Sequence, residues 1–104
     1  MKAIPIRAVF DREEGADDDW KSVDVARVNS NTVRCRVMEG VVAPWHVHPE
    51  SDEMFYVLSG LFYLDTEEGT AEVRAGELLV VPAGARHRGR ADVRTALLVV
   101  DRIK

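Results

Sequence analysis

An all-β fold, a sandwich or barrel of short strands, is what this sequence predicts, and three observations carry it. Short apolar runs recur at the spacing of about 8–12 residues expected of such folds, with turn signals between them, among them Asn29-Ser30-Asn31, Glu67-Glu68-Gly69 and Ala75-Gly76. Some runs alternate with a period of two, as a strand half-buried on a sheet requires. No stretch of about a dozen residues shows a 3.6-residue apolar period with helix caps.

Taken in order, residues 1–10 read as a short strand in which Ile4, Ile6 and Ala8 alternate with other neighbours, and Pro5 suggests an edge position. Residues 11–21 are polar and turn-like, with Trp20 as their large apolar anchor. Val23, Val25, Ala26 and Val28 lead to the turn at Asn29-Ser30-Asn31. Residues 32–42 read as a strand with Val33, Cys35 and Val37 on one face and Arg34, Arg36 and Met38 on the other. Residues 54–58 and 61–64 form the arms of a hairpin around Ser59-Gly60. Residues 71–74 make a short strand, residues 78–81 a buried strand ended by Pro82, and residues 95–100, TALLVV, the closing strand.

Composition narrows the class of function. The 104 residues, 46% of them apolar, can bury one modest core. A formal net charge of -4 argues against a surface that tracks phosphates, so no nucleic-acid partner is expected. No apolar run approaches the ~20 residues that span a bilayer. The start, MKAIPIRAVFDREEG, lacks a long apolar segment and a cleavage site, so a cytoplasmic protein without a membrane partner is expected. Cys35 is the one cysteine, excludes an internal disulfide and reads as a buried inert thiol. The acidic run DREEGADDD at residues 11–19 lacks the ligand spacing of a calcium loop and reads as a solvated turn. Arg86, Arg88, Arg90 and Arg94 carry two readings: the outward face of a strand, or the mouth of a pocket that holds a carboxylate or phosphate.

The chemistry concentrates at residues 40–60, GVVAPWHVHPESDEMFYVLSG. An extended His46-Val47-His48 points both imidazoles to one side and Val47 to the other, while parity sets Trp45 opposite His46, toward packing. Pro49 ends the run, Glu50-Ser51-Asp52 turns the chain, and Glu53 can return a carboxylate to the same point. One histidine on a strand is more often hydrogen-bonded or exposed than a ligand. Here, however, there are three histidines in all; two form the H-x-H, and the third, His87, follows Pro82-Ala83-Gly84-Ala85 behind another apolar run. Imidazole nitrogens with a carboxylate suit a divalent transition metal.

With these residues in place, the chain resembles a small single-domain cupin of the mannose-6-phosphate-isomerase-like kind. Gly40, His46, His48, Glu53 and Gly60 match the spacing of that family's first motif, and Gly76, Pro82, Gly84 and His87 match its second. Ala91 stands where the second motif closes on asparagine, and Glu77 where an aspartate often follows the glycine. The resemblance covers roughly residues 33–100 and implies an all-β double-stranded β-helix, a jelly-roll barrel, in one domain of residues 1–104 with an N-terminal strand and loop over residues 1–32.

Taken as four ligands to one ion, His46, His48, Glu53 and His87 leave coordination positions open, the condition for catalysis rather than for a closed structural site. The donor set admits Fe, Mn, Ni, Co, Cu or Zn. Histidine must be neutral to ligate, so metal affinity should fall as the pH drops through about 6 to 6.5. The resemblance implies a metal-dependent enzyme of isomerase or dioxygenase type acting on a small organic substrate, or a binding or sensor module that uses the same pocket without turnover. Tyr56, Tyr63 and Glu50 are candidate proton-transfer groups. A homodimer is expected, because a free sheet edge invites pairing, with residues 1–10 or an outward Met38, Met54 and Tyr56 as contacts.

Overall fold

A computed structural model of the protein describes residues 1–12 and 20–103; most of the acidic run at residues 11–19 and the side chain of Trp20 lie outside the described residues. Among the described residues, nine strands form two antiparallel sheets. The larger holds β1 (Trp20–Val28), β2 (Asn31–Met38), β4 (Glu53–Ser59), β7 (Leu78–Val81) and β9 (Thr95–Arg102) in the order β1-β2-β9-β4-β7. The smaller holds β3 (Val41–Val42), β5 (Leu61–Thr66), β6 (Gly69–Arg74) and β8 (His87–Ala91) in the order β3-β8-β5-β6. This is the expected all-β jelly-roll barrel. The core lies between the sheets: Met38, Phe55, Val57, Leu97 and Val99 from one meet Phe62, Leu64, Val73 and Ala91 from the other. The rings of Phe55 and Phe62 pack across that space with centroids 5.0 Å apart.

The chain starts as a helix, α1 (Ile6–Arg12), and not as the expected strand. Ile6, Val9 and Phe10 recur at the i, i+3, i+4 spacing of one helical face, and Pro5 stands just before the first turn, where its missing N–H is harmless. That period prevailed over the alternation of Ile4, Ile6 and Ala8. Val9 and Phe10 are buried against Cys35 of β2 and Ala96 of β9 on the outside of the larger sheet. The two faces of β2 are therefore assigned: Cys35 and Val37 look outward under α1, and Met38, 0% exposed, belongs to the interior. Met38 is not an outward contact.

The expected hairpin around Ser59-Gly60 is absent: β4 pairs with β7 and β9, whereas β5 pairs with β6 and β8. The chain crosses from one sheet to the other at this turn. Gly60 has φ +91°, and a Cβ there would lie 2.5 Å from Arg94 O and from Thr95 Oγ1, so only glycine fits. Thr95 Oγ1 accepts from Leu61 N–H at 3.1 Å and fixes the corner. The tight turns at Asn29-Ser30 and Glu67-Glu68 do close hairpins, β1-β2 and β5-β6. β7 was expected to be buried; it is an edge strand with Val81 inside and Leu78 and Val80 exposed at 58% and 50%, because among the described residues only β4 flanks it and nothing covers its outer face.

Candidate metal centre

One loop carries His46 and His48, β8 begins with His87, and the backbone ties the two segments together. His46 N–H donates to His87 O and His87 N–H to His46 O, both at 2.9 Å, so the H-x-H segment and the start of β8 face each other as one antiparallel bridge. Gly84 N–H donates to His48 O at 2.9 Å, and Asp52 Oδ1 accepts from Ala83 N–H at 2.9 Å. Pro82 to His87 is thus held beside the loop that bears His46, His48 and Glu53. Val47, between the two imidazoles in sequence, is half exposed.

Glu53 opens β4 and is buried at 3% exposure. Its Oε1 lies 2.9 Å from His87 Nε2, 3.3 Å from His48 Nε2 and 3.7 Å from His46 Nε2. One ligand atom from each of the four residues falls within 4.8 Å of every other. The residues expected to act together are brought together, and the group could hold a metal ion.

Hydrogen bonding on the far side of the rings says what the near side needs. Ala85 O lies 2.8 Å from His87 Nδ1 and Pro44 O lies 3.1 Å from His46 Nδ1; a carbonyl only accepts, so these Nδ1 atoms carry the protons. The Nε2 of each neutral ring is then a bare lone pair directed at a carboxylate. Two acceptors at 2.9 Å need a positive charge between them, either a second proton or a cation. His48 Nε2 is buried with no hydrogen-bond partner. Burial pushes the Glu53 carboxyl up, but a proton on His87 Nε2 that donates to it, the positive charge of His48 and His87 when they are protonated, and the charge of Arg36 outweigh burial and hold the carboxyl below its ordinary value in the absence of a cation. Three converging imidazole nitrogens, one left without a partner, and an ionised carboxylate fit a divalent transition ion.

The cavity above this cluster has a volume of about 290 Å³ and is lined also by Arg34, Arg36 and Asp101. Sequence reasoning missed these three. Arg34 and Arg36 share the face of β2 that carries Met38, so the parity was visible; that this face looks inward was not. Arg34 Nη2 lies 3.1 Å from Asp101 Oδ1. Burial pulls the Arg36 guanidinium below its ordinary value, opposed by the nearby Glu53 charge.

The other arginines are occupied elsewhere. Arg88 Nε and Arg90 Nε donate to Asp65 Oδ2 at 2.8 and 2.9 Å, Arg90 lies over the Tyr63 ring, and Arg86 and Arg88 lie on Trp45, each 4.8 Å from its centroid. Arg94 Nη2 donates to Phe10 O at 3.4 Å. None of the four lines the cavity beside the histidines, which corrects the pocket-mouth reading; the alternation of β8 that turns His87 inward turns Arg88 and Arg90 outward. Tyr56, Tyr63 and Glu50 do not line it either: Glu50 is exposed, and Tyr63 lies under Arg90.

A jelly-roll barrel with a three-histidine, one-glutamate cluster at one end defines the class. The cupin domain family matches residues 33–101, and the chain belongs to that family. It is 41% identical over 78 residues to YdbB, an uncharacterized protein of Bacillus subtilis, covering 74% of this chain and 68% of that one. A cupin-2 domain-containing protein from Shewanella frigidimarina superposes with a TM-score of 0.87 over 97% of this chain and 95% of that one, at 23% identity. KdgF from Halomonas sp. superposes with a TM-score of 0.75 over 88% and 86%, at 19% identity. At these identities the two structures speak for the fold alone.

Proposed function

We propose that this cupin is a metal-dependent enzyme acting on a small organic substrate, of isomerase or dioxygenase type, with His46, His48, Glu53 and His87 as ligands to one divalent transition ion. The observation that carries the reading is the convergence of three Nε2 atoms on Glu53 Oε1, with His48 Nε2 buried and unpartnered. The ion would supply a Lewis acid that polarises a substrate oxygen. The protein's own part is to hold the rings by their Nδ1 protons, keep Glu53 ionised, and enclose a small molecule between β2 and the histidine loop. Elemental analysis of the purified protein, followed by oxygen-uptake and sugar-phosphate isomerisation assays, tests it. His48→Ala should abolish metal retention; unchanged metal content in that variant would remove the proposal.

A second reading, a binding or sensor module without turnover, is favoured by one observation. Apart from Glu53, the carboxylate that lines the cavity is Asp101, and Arg34 already holds it. Metal retention without turnover on any substrate class would select this reading.

The expected homodimer is part of the proposal. The outer face of the larger sheet beyond α1 presents Met54 and Tyr56 of β4 beside exposed Leu78 and Val80 of β7, at an edge that is unpaired among the described residues. A second copy would cover both. Light scattering should give twice the chain mass for the wild type and one chain mass for a Leu78→Glu, Val80→Glu variant; a monomeric wild type would refute the dimer.

A further inference from the structure

Two of the three histidine rings are held from behind, and the third is not. Pro44 O and Ala85 O take the Nδ1 protons of His46 and His87. His48 is fixed through its backbone, where its carbonyl accepts from Gly84 N–H, but among the described residues no group accepts from its Nδ1. Its Nε2 is buried 3.3 Å from Glu53 Oε1. A ring that ligates through one nitrogen gives its other N–H to a carboxylate, a carbonyl or water, and that acceptor sets its tautomer and its strength as a donor.

His48 also lines a second cavity, of about 350 Å³, onto which Glu50, Ser51 and Arg102 open. The ring is therefore a wall between two cavities, and the side-chain acceptors on the second are Glu50 and Ser51. Glu50 follows His48 by two residues, and its side chain is 83% exposed. Arg102 Nη1 lies 3.9 Å from its Oε2, beyond hydrogen-bonding distance, and an exposed pair of that length holds a carboxylate weakly. Asp52, the next carboxylate along the loop, accepts from Ala83 N–H and does not line this cavity.

Resting on the metal-site reading above, we propose that Glu50 is a positioning residue of the metal centre, its carboxylate turning into the second cavity to accept the Nδ1 proton of His48. Hydrogen bonds to an ionised partner are roughly twice as strong as neutral ones, which favours Glu50 over the Ser51 hydroxyl. The bond holds the Nδ1–H tautomer and makes Nε2 a better donor to a cation. Two imidazoles are then backed by backbone carbonyls and one by a side chain from the surface. The protein's hold on its metal answers to a solvent-exposed residue, for which Arg102 competes with His48.

The test uses the whole chain labelled with ¹⁵N, stripped with chelator and reloaded with Zn²⁺. NMR reads the imidazole N–H signals, which persist where a protein acceptor slows exchange with water, and competition with a chromogenic chelator reads zinc affinity. Three such signals are expected in the wild type and two in Glu50→Ala, which should bind zinc about tenfold to a hundredfold more weakly. Glu50→Gln keeps an acceptor oxygen without the charge, so it should keep the third signal and fall between the two in affinity. Ser51→Ala and Arg102→Gln should keep all three signals and hold zinc at least as tightly as the wild type. Two signals in the wild type, three in Glu50→Ala, or loss of the third in Ser51→Ala overturns the inference and leaves the metal site standing. So do unchanged zinc affinity in Glu50→Ala and equal losses in Glu50→Ala and Glu50→Gln, the mark of a missing charge alone. Failure of the wild type to retain zinc, read before the variants are compared, refutes the metal site itself and this inference with it.

Discussion

At the scale of single residues, the two sides of each imidazole do different work. The carbonyls of Ala85 and Pro44 take the Nδ1 protons of His87 and His46, which sets the Nε2 lone pairs toward Glu53. The same economy of space governs Gly89. β8 crosses the Phe62 ring so closely that a Cβ on Gly89 would lie 2.6 Å from Phe62 Cζ. Gly89→Ala should therefore destabilise the fold by about 1–3 kcal/mol through overpacking. Urea unfolding measures it, and a loss below about 0.5 kcal/mol would mean that the ring can shift aside.

At the scale of elements, β8 separates two chemistries by parity alone. His87, Gly89 and Ala91 face inward, and Arg88 and Arg90 face outward, where Asp65 of β5 receives both. The Arg90 hydrogen bond, helped by Thr70 and Arg88 and opposed by burial, holds the Asp65 carboxyl well below the usual carboxylate range. An unfolded aspartate titrates near 3.9, so on acidification the unfolded chain takes up a proton before the folded one does. Stability from this group is complete above about pH 4 and is lost as the pH falls further toward the folded value. Asp65→Asn should flatten the dependence of stability on pH below about pH 4 by up to about one proton, read from denaturant midpoints at several pH values. An unchanged slope would show that Arg88 and Arg90 do not stabilise the ionised form.

At the scale of the whole molecule, the four ligand side chains come from one loop and the starts of two strands, β4 and β8, and a cation that binds only the folded arrangement must stabilise all of it. Zn²⁺ or Ni²⁺ at about a hundred times its dissociation constant should add about 2.7 kcal/mol. In a chain of this size that is a rise in Tm of about 10–20 °C, reversed by chelator. No shift in the wild type, or the same shift in His48→Ala, would count against the site.

What the sequence determined by itself follows from rules of short range. The turn signals at Asn29-Ser30 and Glu67-Glu68, the two-residue alternation of β2 and the spacing of His46, His48 and Glu53 act over a few residues and are visible there. So the all-β class, the pairing of the histidines on one side and the candidate ligands were legible. The tertiary structure alone decided which face of a strand is inside and which strand is its neighbour. The Ser59-Gly60 turn has the composition of a hairpin, yet the chain changes sheets there because Gly60 must pass against Thr95, thirty-five positions away. Residues 6–12 are a helix because Val9 and Phe10 find Cys35 and Ala96 to cover. Arg34 and Arg36 look inward because α1 already covers the opposite face of β2, and Asp101 and Glu53 stand ready to meet them. Such outcomes depend on burial shared between segments distant along the chain, and a local pattern carries no record of its partner.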